Sequence, residues 1–443
     1  MLSILVVLIV CLGPSFVLWE GFSHLLPAYP LINLDLLIPL FVAAVFRRLG
    51  VGLFVLMVVV TMIISVASLF FLASPFTLFF AHGAGTGFPV QKLVTEYQGL
   101  LWMGLAVLPF GFVLYRHANW KVATMAMCVA ISAGTGELLQ AAKWLPSVRY
   151  GEINLLGSTS YGVLRQQLMM REQSASVSDD PSLSGQVIEW MGRYPGRGVL
   201  FVVAESLGYA KSGDIREWLD AALRSGLADA YLIRRGSVPF RGATTSGELR
   251  QLCQTRRPYY ALEQADIENC LPRKARDMGL ATVALHAFSG RVFSREQWWK
   301  EIGFDTRLFS DDLEVNYPRK CGEVLIGLCD IELLHEAKRR MGLTPTFVYL
   351  LTLNTHLPIP STPLDAVTEA QCRRGGLSAQ PCSLVYLHHA FLKALGKAAT
   401  SMVGVSAPLI VIVGDHAPPF VQADDRLVFS EDKVPYWVLV PRD

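Results

Sequence analysis

Ala407-Pro408-Leu409-Ile410-Val411-Ile412-Val413-Gly414-Asp415-His416 is the stretch on which the reading of the fold turns. Apolar, β-branched residues run together and stop at a glycine, the pattern of a short buried strand. A carboxylate and an imidazole follow directly. In open α/β sheets ligands bind beyond the carboxyl ends of the strands, where an Asp-His pair is placed to hold a metal ion. The same pattern occurs upstream. Val199–Val203 runs into Ala204-Glu205-Ser206, Ala281–Leu285 ends at His286, and Thr346–Leu353 leads into Asn354-Thr355-His356. Helical patterns lie between these runs, among them 215–224, 331–341 and 384–402. Strands alternating with helices predict a mostly parallel sheet. Parallel strands would bring Glu205, His286, His356, Asp415 and His416 to one edge, the expected place for an active site. His24, His82 and His117 follow no strand, and His388 and His389 read as packing or surface residues of a helix.

The chain has 443 residues, 52% of them hydrophobic and 17% charged, with a formal net charge of +2. That charge balance gives no support for a nucleic-acid partner. The apolar excess is concentrated before residue 140, in stretches at about 2–19, 29–46, 51–80, 98–115 and 121–138. A spanning helix needs about 20 mostly apolar residues, so a bundle of about five spans is expected over 1–138. Arg47 and Arg48, and Arg116, His117 and Lys121, fall in alternate connections. The positive-inside rule places those connections in the cytoplasm and everything after residue 140 on the outer face. Residues 139–197 read as a linker with connecting helices, including one over 161–171 and a Ser-rich loop over 174–184. Residues 198–443 form the soluble α/β domain. Six of the eight cysteines lie in it: Cys253, Cys270, Cys321, Cys329, Cys372 and Cys382. An even number suits an oxidising compartment. Fifteen connectivities are open, and 253–270, 321–329 and 372–382 close the shortest loops.

Arg241-Gly242-Ala243-Thr244-Thr245-Ser246-Gly247-Glu248-Leu249-Arg250 places small hydroxyl residues at the start of a helical pattern. Two readings stand. A hydroxyl there can cap the helix, or, beside a metal ion, act as a nucleophile. A ligand set of Glu, Asp and His suits one divalent ion, zinc or manganese.

Taken together these residues resemble the sulfatase-like branch of the alkaline phosphatase superfamily. More narrowly, they resemble the membrane-anchored lipoteichoic acid synthases and phosphoethanolamine transferases. The resemblance covers 198–443, with the five-span anchor, and implies an alkaline-phosphatase-like fold. It implies that Glu205, Thr244, Asp415 and His416 hold the metal. The spacing of Gly242, Thr244 and Glu248 favours Thr244 as nucleophile over Thr245, with Ser246 third. His286 and Arg295, nine residues apart, correspond to phosphate-binding positions, and His356 in Asn-Thr-His-Leu-Pro to a further catalytic histidine. Phe293-x-Arg295, then Trp298, Trp299 and Gly303-Phe304-Asp305, is also similar to the synthases. Phe288 and Phe293 replace an Asp and a Trp that contact a glycerol head group in that family. Cys321 and Cys329-Asp330 resemble a disulfide loop of the phosphoethanolamine transferases, and Ala417-Pro418 replaces a Gly-Glu found in some relatives.

The expectation is a transferase that moves a phospholipid head group through a phospho-threonine onto an envelope glycan or lipid. Phosphoethanolamine is favoured over phosphoglycerol. The enzyme would be a multi-pass protein of the bacterial inner membrane with its catalytic domain on the periplasmic face. A hydrolase using the same site is the alternative, although no Cys/Ser-x-Pro-x-Arg sulfatase motif follows Gly242. A second alternative is a non-catalytic membrane scaffold.

Overall fold

The structure is a computed structural model. It describes residues 182–442 apart from 226, 228–229, 323–324, 343, 358, 360–363, 403–406 and 421–422, and before them 30–33, 46, 49, 52–58, 149–150 and 153–157. The chain divides into two compact units, Met1–Arg171 and Glu172–Asp443. In the first, Pro30–Asn33 is a strand parallel to Ile153–Gly157, which also pairs antiparallel with Arg149–Tyr150. Pro30–Asn33 falls in the second apolar stretch, where a helix is expected; proline is tolerated as the first residue of a strand, where no N–H is needed. Residues 52–58, within the third stretch, are helical. The rest of the five expected spans, and the helix expected over 161–171, lie outside the described residues. Among the described residues no helix is long and apolar enough to cross a membrane.

The second unit is built in chain order from α1 (Ser184–Arg193), β1 (Val199–Ala204), α2 (Gly213–Arg224), β2 (Tyr231–Pro239), α3 (Thr244–Cys253), α4 (Leu271–Asp277), β3 (Ala281–His286), α5 (Arg295–Glu301), β4 (Thr306–Leu308), α6 (Asp330–Met341), β5 (Thr346–Leu351), α7 (Ala366–Arg374), α8 (Ala379–Thr400), β6 (Leu409–Gly414) and β7 (Lys433–Pro441), with shorter turns between. The sheet has seven strands in the order β2-β7-β6-β1-β5-β3-β4. β6, β1, β5, β3 and β4 run parallel, while β7 is antiparallel to both β6 and β2. The mostly parallel sheet expected from the strand–helix alternation is present.

β1, β5 and β6 are buried at every position, because helices cover both faces and neither face needs polar residues. The two-residue period of a strand divides their side chains between two layers. Leu200, Val202, Val348, Leu350, Ile410 and Ile412 meet α2, α6 and α8. Phe201, Val203, Phe347, Tyr349, Val411 and Val413 meet α1, α3, α4 and α5. Val187, Trp190 and Met191 of α1 are buried in that second layer, so this part of the expected linker is a covering helix.

All three shortest-loop cysteine pairs are bonded: Cys253–Cys270, Cys321–Cys329 and Cys372–Cys382. The first ties the end of α3 to the start of α4, the second reaches the residue before α6, and the third joins α7 to α8. In the chain-entropy account, loops of this size contribute about 2–3 kcal/mol each.

The register fixes where the strands end. Gly414 lies opposite Ala204, and Leu351 lies between Val203 and His286. The next residues of β1 and β6, Glu205 and Asp415, therefore leave the sheet side by side.

Candidate active site

β1 ends in a sharp turn. Ser206 has φ 55°, a left-handed conformation uncommon in a residue with a side chain and a frequent mark of functional sites. The turn points the Ser206 N–H at Asp415 Oδ1, 2.8 Å away, and the Ser206 hydroxyl at Glu205 Oε1, 3.0 Å away. His416 N–H donates to the same Asp415 Oδ1 at 2.6 Å. One oxygen of Asp415 is thus fixed by two backbone donors. The other, Oδ2, is buried, accepts no hydrogen bond and faces His416 Nε2 at 3.3 Å. A buried carboxylate oxygen without a donor is costly and is the arrangement a cation would satisfy.

His416 is oriented the same way. Its Nδ1 donates to the Ala417 carbonyl at 2.9 Å, which turns Nε2 toward the carboxylates. Glu205 Oε1 is 3.5 Å from that nitrogen. The candidate ligand atoms of Glu205, Asp415 and His416 all lie within 4.8 Å of one another. These residues are 4%, 0% and 3% exposed, so solvent does little to screen their charges. Burial alone would raise the Glu205 pKa, but the His416 hydrogen bond and the charges of His356 and His416 hold it well below the usual carboxylate range. Burial and the charge of Glu205 push Asp415 up to about 8. His416 rises to about 9: burial opposes its charge, and Asp415 and Glu205 outweigh burial. The cluster draws protons to the place where positive charge fits, as a set of cation ligands does. Two carboxylates, one imidazole and a hydroxyl fit a divalent ion of the zinc or manganese kind.

The hydroxyl is that of Thr244. Its Oγ1 donates to Glu205 Oε2 at 2.9 Å and lies 3.3 Å from His416 Nε2. Thr244 is the first residue of α3, and the cap position belongs to Ala243, which has no capping side chain. The capping reading of this threonine therefore fails, since its oxygen bonds across the site and not down its own helix. Among the described hydrogen bonds no side chain of Thr245 or Ser246 reaches Glu205 or His416. Gly242 has φ +70°, and Gly247 sits so near the strand end that an added Cβ would come within 2.8 Å of Asp415 Cβ. Arg250, one turn on, donates from Nη2 to the Asp415 carbonyl at 3.0 Å.

His286 is buried, and its Nδ1 donates to the Leu351 carbonyl at 3.2 Å. Burial and the Arg295 charge lower its pKa to about 3, so it stays neutral. Half-buried His356 feels the charges of Glu205 and His416, with burial lowering its pKa. Arg295, expected at a phosphate-binding position, is 3% exposed and lies in a buried ion pair. Its Nε and Nη2 donate to Glu248 Oε2 at 3.1 and 2.9 Å. Glu248 Oε1 accepts from Trp299 Nε1 and Tyr349 Oη, both at 3.1 Å. Burial raises the Glu248 pKa, with Arg295 opposing it. Glu248 lies one turn after Thr244, so this ion pair ties the Arg295 segment to the helix that carries Thr244.

His388, read as packing or surface, is 4% exposed. Its Nε2 donates to the Ser206 carbonyl at 3.3 Å, beneath the turn that follows Glu205. Burial lowers its pKa to about 4. Its one signal in the sequence is an imidazole on the apolar face of a helix.

No protein-family model matches the chain, and no curated protein does. Solved structures similar to it include the lipoteichoic acid synthase LtaP of Listeria monocytogenes, at 16% identity and TM-score 0.39, covering 56% of this chain and 66% of that one. Another is the Streptococcus pyogenes phosphoglycerol transferase GacH, at 15% identity and TM-score 0.37, covering 60% of this chain and 74% of that one. A third is a protein in the alkaline phosphatase superfamily from Vibrio parahaemolyticus, at 14% identity and TM-score 0.39, covering 63% and 69%. At these values the likenesses add nothing to what the residues themselves support. The resemblance to the sulfatase-like branch of the alkaline phosphatase superfamily is carried by the motifs around Glu205, Thr244, His286, Asp415 and His416.

Proposed function

We propose that the chain is a metal-dependent transferase that moves a phospholipid head group through a phosphorylated Thr244. The observation that carries this reading is the Thr244 hydroxyl, 2.9 Å from Glu205 Oε2 and 3.3 Å from His416 Nε2 at the N-terminus of α3. Glu205, Asp415, His416 and Thr244 would hold one divalent ion, zinc or manganese. Bound there, it supplies Lewis acidity that lowers the pKa of a neighbouring hydroxyl and neutralises charge on a phosphoryl group.

In the first half-reaction Thr244 Oγ1 forms a bond to phosphorus. The bond from phosphorus to the diacylglycerol oxygen breaks, and the proton from Thr244 ends on that oxygen as diacylglycerol leaves. Glu205 accepts the Thr244 hydrogen bond and orients the oxygen for attack. In the second half-reaction an acceptor hydroxyl attacks phosphorus, the bond to Thr244 breaks, and the acceptor's proton returns to Thr244. His356 is the proton carrier for the leaving and entering oxygens. A neutral His286 contributes hydrogen bonding, and Arg295 contributes positive potential toward the phosphoryl oxygens. The α3 N-terminus adds its own partial positive charge.

The donor in this reading is a membrane phospholipid and the acceptor an envelope glycan or lipid. Phosphoethanolamine is preferred over phosphoglycerol because Phe288 and Phe293 lack the polar groups a glycerol would engage. The spans read over 1–138 would hold the domain at the outer face of the bacterial inner membrane, next to its donor, and the three disulfides accord with that compartment.

Thr244→Ala tests the assignment. Incubated with phospholipid labelled in its head group, wild-type protein is expected to carry the label on the Thr244 peptide and pass it to acceptor. The variant is expected to do neither while remaining folded. Full transfer by the variant would overturn the reading. Release of free head group with no acceptor product would replace transfer with hydrolysis.

A further inference from the structure

Glu205 is held by more than its side chain. Its backbone N–H donates to Thr352 Oγ1 at 2.8 Å, and its carbonyl accepts from Thr355 Oγ1 at 2.6 Å. The two threonines are 3% and 4% exposed, and they grip the peptide units on either side of one residue. They belong to the loop after β5 that also carries His356, whose N–H donates to the Leu353 carbonyl at 2.9 Å.

That loop is itself clasped. Asp330, the first residue of α6, accepts the Leu353 N–H on Oδ1 at 2.8 Å and the Asn354 N–H on Oδ2 at 2.9 Å. Asn354 answers with Oδ1 accepting the Asp330 N–H at 2.7 Å, and its Nδ2 donates to the Leu328 carbonyl at 3.0 Å. Asp330 follows Cys329, which is bonded to Cys321. The path therefore runs from a disulfide-pinned helix start, through a reciprocal Asp–Asn pair, to two hydroxyls that bracket Glu205.

We infer that Thr352 and Thr355, set by Asp330, are positioning residues that aim the Glu205 carboxylate at the divalent ion and fix its spacing to His356. Neither hydroxyl touches the reacting atoms. Their effect is geometric. A hydroxyl on each side of the peptide restrains its rotation, and a rotated peptide would swing the carboxylate away from Asp415 and His416. Groups that orient metal ligands typically cost about 10–100-fold in affinity or activity when lost, and small misplacements of reacting groups have comparable effects on turnover. Valine has the shape of threonine without the donor and acceptor, so it isolates the hydrogen bond from packing.

The inference rests on the proposed metal-dependent transfer, and the test separates the two. In full-length protein purified in detergent, Mn²⁺ and Zn²⁺ affinities are measured by chelator competition. kcat and KM are measured with head-group-labelled phospholipid, and Tm is followed in parallel. Wild type that binds neither ion and transfers nothing would overturn the functional reading itself. With wild type active, Thr355→Val and Thr352→Val are expected to weaken ion binding and lower kcat by about 10–100-fold with KM little changed. Thr355→Ser and Thr352→Ser, which keep the hydroxyl, are expected to restore both. Asp330→Asn, which presents an NH₂ group to one of two backbone donors, is expected to lower kcat in the same direction and keeps the test alive if a valine variant does not fold. Valine variants with wild-type ion affinity and kcat would overturn the positioning role. So would serine variants as impaired as the valines at equal Tm.

Discussion

His286 and His388 are imidazoles that the fold keeps uncharged, and this has a measurable sign. Each has an ordinary pKa near 6.5, lowered to about 3 for His286 and about 4 for His388, chiefly by burial. As pH falls below 6.5, the unfolded chain takes up protons that the native state refuses. Native stability should therefore fall by up to about 1.4 kcal/mol per pH unit for each imidazole, with no contribution above pH 7. His388→Gln can keep a donor to the Ser206 carbonyl and removes one titration. Urea unfolding at pH 7, 6 and 5 should show a shallower acid decline in that variant; an unchanged slope would mean His388 is not held neutral. Some of the residue scale was legible in the sequence. Glu205, His286, Asp415 and His416 each follow an apolar run, and strand ends are where an α/β sheet presents its ligands. The grip on Arg295 was not legible, because Glu248 lies 47 positions away and nothing local marks either residue as the other's partner.

At the scale of elements, the site depends on how closely α3 approaches the end of β6. Gly247 makes that approach possible, since a Cβ there would come within 2.9 Å of the Asp415 Cα as well as its Cβ. Gly247→Ala should push α3 away from Asp415 and carry Thr244 with it, lowering kcat by about 100-fold on the scale of ångström misplacements. The three disulfides and the sheet should persist. Near wild-type turnover in a folded Gly247→Ala protein would show that the two elements have slack between them. The helix and its threonine could be read from hydroxyl residues entering a helical pattern, but that pattern suits a cap equally well. Only the position of β1 beside β6 decides between them, because it places Glu205 where the hydroxyl can reach it.

On the scale of the whole molecule, the ion and the fold should stabilise each other. A ligand that binds only the native state contributes about 2.7 kcal/mol when present at a hundred times its Kd. Removing divalent ions with a chelator should therefore lower Tm by several degrees, and restoring Mn²⁺ or Zn²⁺ should recover it. Asp415→Asn should blunt that response more than Thr244→Ala, because Asp415 brings the buried carboxylate oxygen that lacks a donor. A Tm indifferent to chelator and to both ions would remove the metal from the account. The parallel core was legible as alternating strands and helices. The place of β7 was not. It pairs with β2 along nine residues and with β6 along four, and no short-range signal says that Lys433–Pro441 belongs between segments about 200 and 20 residues earlier.

The position of β7 also makes the nearer surroundings of Thr244 depend on a distant segment. Among the described residues β2, the strand that leads into Thr244, has β7 as its one neighbour in the sheet. Without Lys433–Pro441 between β2 and β6, the strand that leads into Thr244 would lose its described sheet partner. Thr244 therefore owes its surroundings to a strand that begins about 190 residues further along the chain.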